Sequence, residues 1–127
     1  MNHNDIIDAF VRAEPNVALC SRGGTPPAYT HVHSPSQNPG VGRCTTHWIA
    51  VEQADGTVAV RPQLAQILGA TPRPALPIAV RRAGHSAGPR FGDFDHALTP
   101  AAIAARWATA DDLVRDVLKA CRSLGIW

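Results

Sequence analysis

Lysine is almost missing from this 127-residue chain: Lys119 stands alone beside eleven arginines. Cysteine is scarce as well. Cys20, Cys44 and Cys121 are an odd number and too few for a disulfide scaffold, so reduced thiols in a cytoplasmic setting are expected. No stretch approaches the roughly 18 consecutive apolar residues of a membrane span. The start, Met1 to Glu14, has no basic segment followed by an apolar run, so no secretory signal is expected. Aromatics make up only 6% of the chain, and Phe91 is the sole one near the arginines of the middle, which argues against a stacking platform for single strands. There is no internal repeat and no zinc-finger, RRM or helix-turn-helix signature. Between Gly56 and Gly92 there is no acid at all.

What is present is a concentration of cationic and imidazole side chains. Between Glu14 and Asp93 lie Arg22, Arg43, Arg61, Arg73, Arg81, Arg82 and Arg90, with His31, His33, His47 and His85, against only Glu52 and Asp55. That middle is +5, the first fourteen residues are −2 and the last thirty-five are −1, giving the net +2 of the whole. The length suits a single domain. Apolar content of 45% is ordinary for a folded chain rather than a disordered one. The excess of arginine, alanine and proline fits a GC-rich bacterial or phage genome.

The element pattern predicts an α+β protein, 1–127, with a small mixed or antiparallel sheet around a central β-hairpin. Asn2 or Asn4 caps a first helix bearing Ile6, Ile7, Phe10 and Val11 on one face, and Pro15 ends it. Val17 to Cys20 reads as a short strand. Residues 22–44 read as a long loop with an extended piece at Tyr29 to His33. Thr46 to Gln53 and Thr57 to Arg61 flank Ala54-Asp55-Gly56 and predict the hairpin. Pro62 to Leu68 is a short middle helix stopped by Gly69. Residues 70–77 are a connector, and Leu76 to Arg81 is a strand candidate. Two helices close the chain, one begun by Thr99 and Pro100, the other by Thr109 and Asp112, with Leu113, Val114, Val117, Leu118, Cys121 and Leu124 as its apolar stripe.

Four constellations could carry chemistry. His31 and His33, then ten residues, then Cys44 and His47 offer four nitrogen and sulfur ligands of the kind zinc takes tetrahedrally. Alternate residues of a strand share a face, so both imidazoles of the first pair can aim at one ion. A chance His-x-His on a surface loop with a half-buried Cys44 is the plain alternative.

Cys20 with His47 is the second. Thr46-His47-Trp48-Ile49-Ala50-Val51-Glu52, a turn, and Thr57-Val58-Ala59-Val60-Arg61-Pro62 together resemble the histidine hairpin of papain-like cysteine peptidases and related toxins. The resemblance covers about seventeen residues. It implies Cys20 as nucleophile and His47 as its base, with an orienting acid or amide where this chain has Arg61. Cys20 also precedes Ser21-Arg22-Gly23-Gly24, a poor helix start, although helix N-termini are what lower a thiol pKa.

The third is Gly84-His85-Ser86-Ala87-Gly88, which matches the nucleophile elbow of α/β-hydrolases. That elbow needs a parallel sheet before it and a helix behind the serine, whereas Pro89 and Gly92 follow here, so a surface loop is the preferred reading.

The fourth is the basic segment itself. Arginine forks match phosphate and carboxylate oxygens in pairs. Arg73, Arg81, Arg82 and Arg90 with His85 therefore predict a binding patch for an anionic partner, nucleic acid or an acidic protein surface. A Cys/His or His-based hydrolase, of papain-like or ribonuclease type, is the alternative, with His31, His33, His47 or His85 as acid and base.

Overall fold

The computed structural model describes residues 1–22, 29–34, 48–73 and 94–127. Among these, four helices and six strands form one α+β unit. The helices are α1 (His3–Ala13), α2 (Pro62–Leu68), α3 (Pro100–Arg106) and α4 (Ala110–Ser123). The strands are β1 (Ala18–Arg22), β2 (Tyr29–His33), β3 (Ile49–Glu52), β4 (Val58–Val60), β5 (Thr71–Pro72) and β6 (His96–Leu98). The sheet runs β1-β2-β3-β4-β6-β5, and every neighbouring pair is antiparallel. No helix is long and apolar enough to cross a membrane among the described residues.

Local chemistry explains the helix ends. Asn2 Oδ1 accepts from the Asp5 N–H at 3.0 Å while Asp5 Oδ2 accepts from the Asn2 N–H at 2.9 Å, a reciprocal box that closes two donors otherwise left open. Asn2, not Asn4, is therefore the cap. Thr99 and Thr109 each cap through Oγ1, to the N–H groups of Ala102 and Asp112. The Asp112 carboxylate accepts from Arg115 Nη2 at 2.9 Å, and hydrogen bonds from Thr109 help to hold it below the usual carboxylate range. Gly69 and Gly125 end α2 and the C-terminal turn in the left-handed region, at φ 74° and 70°.

One hydrophobic core lies between the helices and one face of the sheet. Val32, Ile49, Val51, Val58, Val60 and Leu98 meet Ile6 and Phe10 of α1, Leu64 and Leu68 of α2, Ile103 of α3, and Leu113, Val114, Val117 and Leu118 of α4. α1 packs chiefly on α4, and α2 packs on α4 as well. Val11 was expected on the inner face of α1 but is exposed, because the buried stripe runs Ile6, Ala9, Phe10 and so takes the i, i+3, i+4 spacing instead. Trp107 is core, and its indole N–H donates to Asp116 Oδ2 at 2.7 Å. Trp127 packs back on the same core.

The hairpin pairs Ile49 with Val60 and Val51 with Val58, as the alternation predicts. Gly56 supplies its turn at φ 78°, and an added Cβ there would stand 3.1 Å from the Asn2 carbonyl carbon. Two strands escaped the sequence reading. β5 lies inside the expected connector, and β6 follows a stretch taken as loop. Two or three residues are too few to display a period, and these strands exist because each finds a partner already in place. The strand expected over Leu76 to Arg81 lies outside the described residues.

A candidate site on the second face of the sheet

Residues that alternate with the core valines and isoleucines point to the opposite face. One row across the sheet there pairs His31, Ala50, Ala59, Ala97 and Thr71, strand by strand. Three alanines in that row keep the layer thin. Phe94 packs on Ala50 and Ala59, with Tyr29 beside them, as a second small apolar cluster. The His31 ring lies 6.0 Å from the Phe94 ring, tilted by 31°.

His31 and His33 are both fully buried, two residues apart on β2. This differs from a surface His-x-His on a loop: β2 is enclosed from its neighbours on both sides and turns both imidazoles to one face. Cys20 sits on β1 opposite His31 in register. Cys44 and His47, the other half of the expected zinc set, lie outside the described residues. Among the described residues no group of three or more His, Cys, Asp or Glu side chains could hold a metal ion. Cys121 is a buried core residue of α4, and burial pushes its thiol up to about 12.

At the end of this face stands a charged group that sequence reasoning did not assemble. Glu52, the last residue of β3, forms an ion pair through Oε1 with Arg73 Nη1, both side chains being mostly buried. Tyr29 is the register partner of Glu52. Burial raises the Tyr29 pKa and the Glu52 charge raises it further, while a hydrogen bond and the charge of Arg73 oppose both. The hydrogen bonds from Thr57 hold Asp55 below the usual carboxylate range, and the charge of Arg73 adds to this. Arg73 was expected in an exposed polyanion patch. Its guanidinium is instead committed to Glu52 on the middle of the sheet, because β5 pairs with β6 and brings it there.

The backbone N–H of Arg73 also donates to the Asp95 carbonyl at 2.6 Å. Asp95 Oδ1 in turn lies 2.6 Å from Nδ1 of His96, the first residue of β6. Arg73 and Asp95 are thus joined at the end of β5 and the start of β6. Arg81, Arg82, His85 and Arg90 lie outside the described residues, as does the Ser86 segment. The all-antiparallel sheet among the described residues is not the parallel scaffold that a nucleophile elbow requires.

Arg61, which stands where a papain-like hairpin carries its orienting group, is buried with its guanidinium 4.5 Å over the Trp48 ring. Such a stacked, desolvated cation serves packing. The described residues carry eight basic and nine acidic side chains, so the scaffold is −1. Arg43, Arg81, Arg82 and Arg90 against Asp93 leave +3 for the remainder.

A separate cleft of about 530 Å³ opens between the start of α1 and the α3–α4 junction, lined by Asp5, Asp8, Arg12, Trp107 and Asp111 among others. Asp5 is engaged in its cap and Asp111 in an ion pair with Arg12 at 3.0 Å. Both roles belong to the helices, and the titratable face of the sheet lies on the other side. Tyr29 could have been found from sequence, since period two puts it in line with His31 and His33. The partnership of Glu52 with Arg73 could not, because it depends on the unforeseen strand β5. No protein-family model matches this chain, and no curated protein or solved structure matches it either.

Proposed function

We propose that this chain is a small binding protein that carries an Arg/His-rich segment, residues 74–93, to the phosphates of a nucleic acid. The observation that supports it is the charge of that stretch. Residues 74–93 hold Arg81, Arg82, His85 and Arg90 against the single acid Asp93. Binding residues are commonly borne on segments that a rigid scaffold positions. Arginine without lysine favours paired contacts to phosphate oxygens. Arg73 pairs with Glu52, and Arg61 stacks on Trp48.

The test is binding of a fluorescein-labelled RNA oligonucleotide across a salt series. Affinity should fall steeply with salt, by roughly 0.7 in log–log slope for each phosphate contacted on a single strand. Replacing Arg81, Arg82 and Arg90 together by Ala should abolish most of the binding and leave the melting temperature nearly unchanged. Binding of an acidic protein but not of RNA would move the partner to the other class. Binding that ignores both salt and the substitutions would leave the charge without a role.

A second reading, a Cys/His or His-based hydrolase, is favoured by one observation: His31 and His33 share a buried face, and Cys20 stands opposite His31 in register. The same imidazoles are half of the zinc set His31, His33, Cys44 and His47. Native mass spectrometry with and without a chelator separates these ideas. About one equivalent of zinc, with a lower melting temperature after its removal, supports the metal site. Loss of hydrolysis of RNA or peptide in Cys20→Ser or His31→Asn, with no metal bound, supports the hydrolase.

A further inference from the structure

We propose that Glu52 is an internal stand-in for a phosphate group, holding the guanidinium of Arg73 until an external phosphate oxygen takes its place. The inference rests on the reading of this chain as a binder of nucleic-acid phosphates. Carboxylate and phosphate oxygens fit the same guanidinium fork. Glu52 Oε1 and Arg73 Nη1 make that contact within the chain. The pair is not sealed: the side chains are 23% exposed at Arg73 and 19% at Glu52, so a solute anion has access to it. Arg61 differs, being buried and stacked on Trp48. Two contacts besides Glu52 place Arg73. Its backbone N–H donates to the Asp95 carbonyl at 2.6 Å, and its guanidinium donates to the hydroxyl of Tyr29, the register partner of Glu52 on β2. Asp55, the other acid that feels the Arg73 charge, accepts from the Thr57 N–H at 2.9 Å. Glu52 is thus the group that an incoming anion displaces. A site that is open for only a fraction of the time shows an affinity reduced by that fraction.

Glu52→Gln keeps an acceptor oxygen beside Arg73 and removes the charge that competes with phosphate. It should tighten binding of the labelled RNA about fivefold. The salt slope should steepen by roughly 0.7, the value of one added phosphate contact on a single strand. Arg73→Gln alone should bind like the wild type, because its guanidinium is already occupied by Glu52. The gain should disappear in Glu52→Gln/Arg73→Gln, since the two residues act as one unit. A gain that persists in the double variant would make Glu52 a repelling charge and nothing more, and would overturn the proposal. Weaker or unchanged binding in folded Glu52→Gln would overturn it too. Should Glu52→Gln fail to fold, Glu52→Asp keeps the charge but draws it back from Nη1 by one methylene, and the same readouts apply.

Titration with inorganic phosphate, followed by the backbone amide signals of Tyr29 and Arg73 in NMR spectra, gives a readout independent of RNA. Both signals should shift at several-fold lower phosphate in Glu52→Gln than in the wild type. Should neither protein bind RNA, the function proposed above fails, and this titration still decides the role of Glu52. A shift at lower phosphate in the variant supports the stand-in. No shift, or the same shift in both proteins, refutes it.

Discussion

The two faces of the sheet are made from the same strands, yet they are different materials. On the helix side, β3 and β4 present Ile49, Val51, Val58 and Val60, branched side chains that fill the space under α1 and α4. On the other side the same two strands present Ala50, Ala59 and Glu52, and β2 adds Tyr29, His31 and His33. Hydrophobic burial is concentrated on the first face and titratable groups on the second. Both faces hold fully buried residues, so exposure alone does not separate them; chemistry does. Burial of a histidine costs free energy unless it is satisfied, whereas burial of valine is favourable throughout. The first face accounts for folding. The second is where a role other than folding is to be sought.

Adjacent residues of β3 give the sharpest test of this contrast. Ile49→Ala removes a fully buried side chain from the thick core and should cost about 2–5 kcal/mol, read as a lower denaturant midpoint at constant slope. Ala50→Leu adds volume to the thin layer under Phe94 and should cost about 1–3 kcal/mol by overpacking. An Ala50→Leu variant as stable as the wild type would mean that the second face has room to spare, and the two faces would then differ in packing as well as chemistry.

Cys121 probes the first face by pH. Its folded pKa, about 12, lies above the value of 9.0 for an unburied thiol. The folded state therefore holds the proton more tightly than the unfolded one. The resulting stability is complete below pH about 9 and is lost as pH rises toward about 12, by on the order of 2–4 kcal/mol at most. Tyr29, also raised, contributes in the same alkaline direction. Urea melts of wild type and Cys121→Ala between pH 8 and pH 11 should diverge in slope, with the variant less sensitive. Parallel curves would show that alkaline loss comes from elsewhere.

The first face was largely legible in the sequence. Period two in Thr57 to Arg61, period 3.6 in Leu113 to Cys121, and the cap residues Thr99 and Thr109 are local signals, and each sits in the element it announced. The second face was legible only in part. His31 and His33 were singled out by type and spacing, but Glu52 and Phe94 acquire meaning only through cross-strand register and through β5 and β6, which have no local signal. Arg73 shows the same limit: its charge was visible in the sequence and its partner Glu52, twenty-one residues away, was not.

Register is what keeps the two faces apart, because a slip of one residue would exchange them. Gly56 pins it. At φ 78°, with Asn2 and His3 backbone atoms 3.1 to 3.4 Å from where a Cβ would stand, Gly56→Ala combines backbone strain with a clash against rigid atoms. A loss of about 1–3 kcal/mol is expected. Since the neighbouring atoms belong to the start of α1, amide exchange should rise in both β3–β4 and the first turn of α1. A change confined to the hairpin would mean that α1 does not lean on the turn.

Asp55 is the gentlest handle on the same register. Its Oδ1 accepts from the Thr57 N–H at 2.9 Å, a local bond that closes the turn before β4 begins. That bond holds the Asp55 carboxyl below its ordinary 3.8, and the charge of Arg73 assists. A folded pKa below the unfolded one means that the contribution is present above pH 3.8 and is lost as pH falls through the folded value. Because the side chain is exposed, solvent screens the effect to about a few tenths of a kcal/mol. Asp55→Ala should cost about 0.5–1 kcal/mol at neutral pH through the lost acceptor. Asp55→Asn keeps an acceptor and should cost less, and its difference from the wild type should vanish as the pH is lowered toward 3. If Asp55→Asn cost as much as Asp55→Ala at every pH, the charge rather than the hydrogen bond would hold the turn. Arg73 would then be fixing the register of the hairpin.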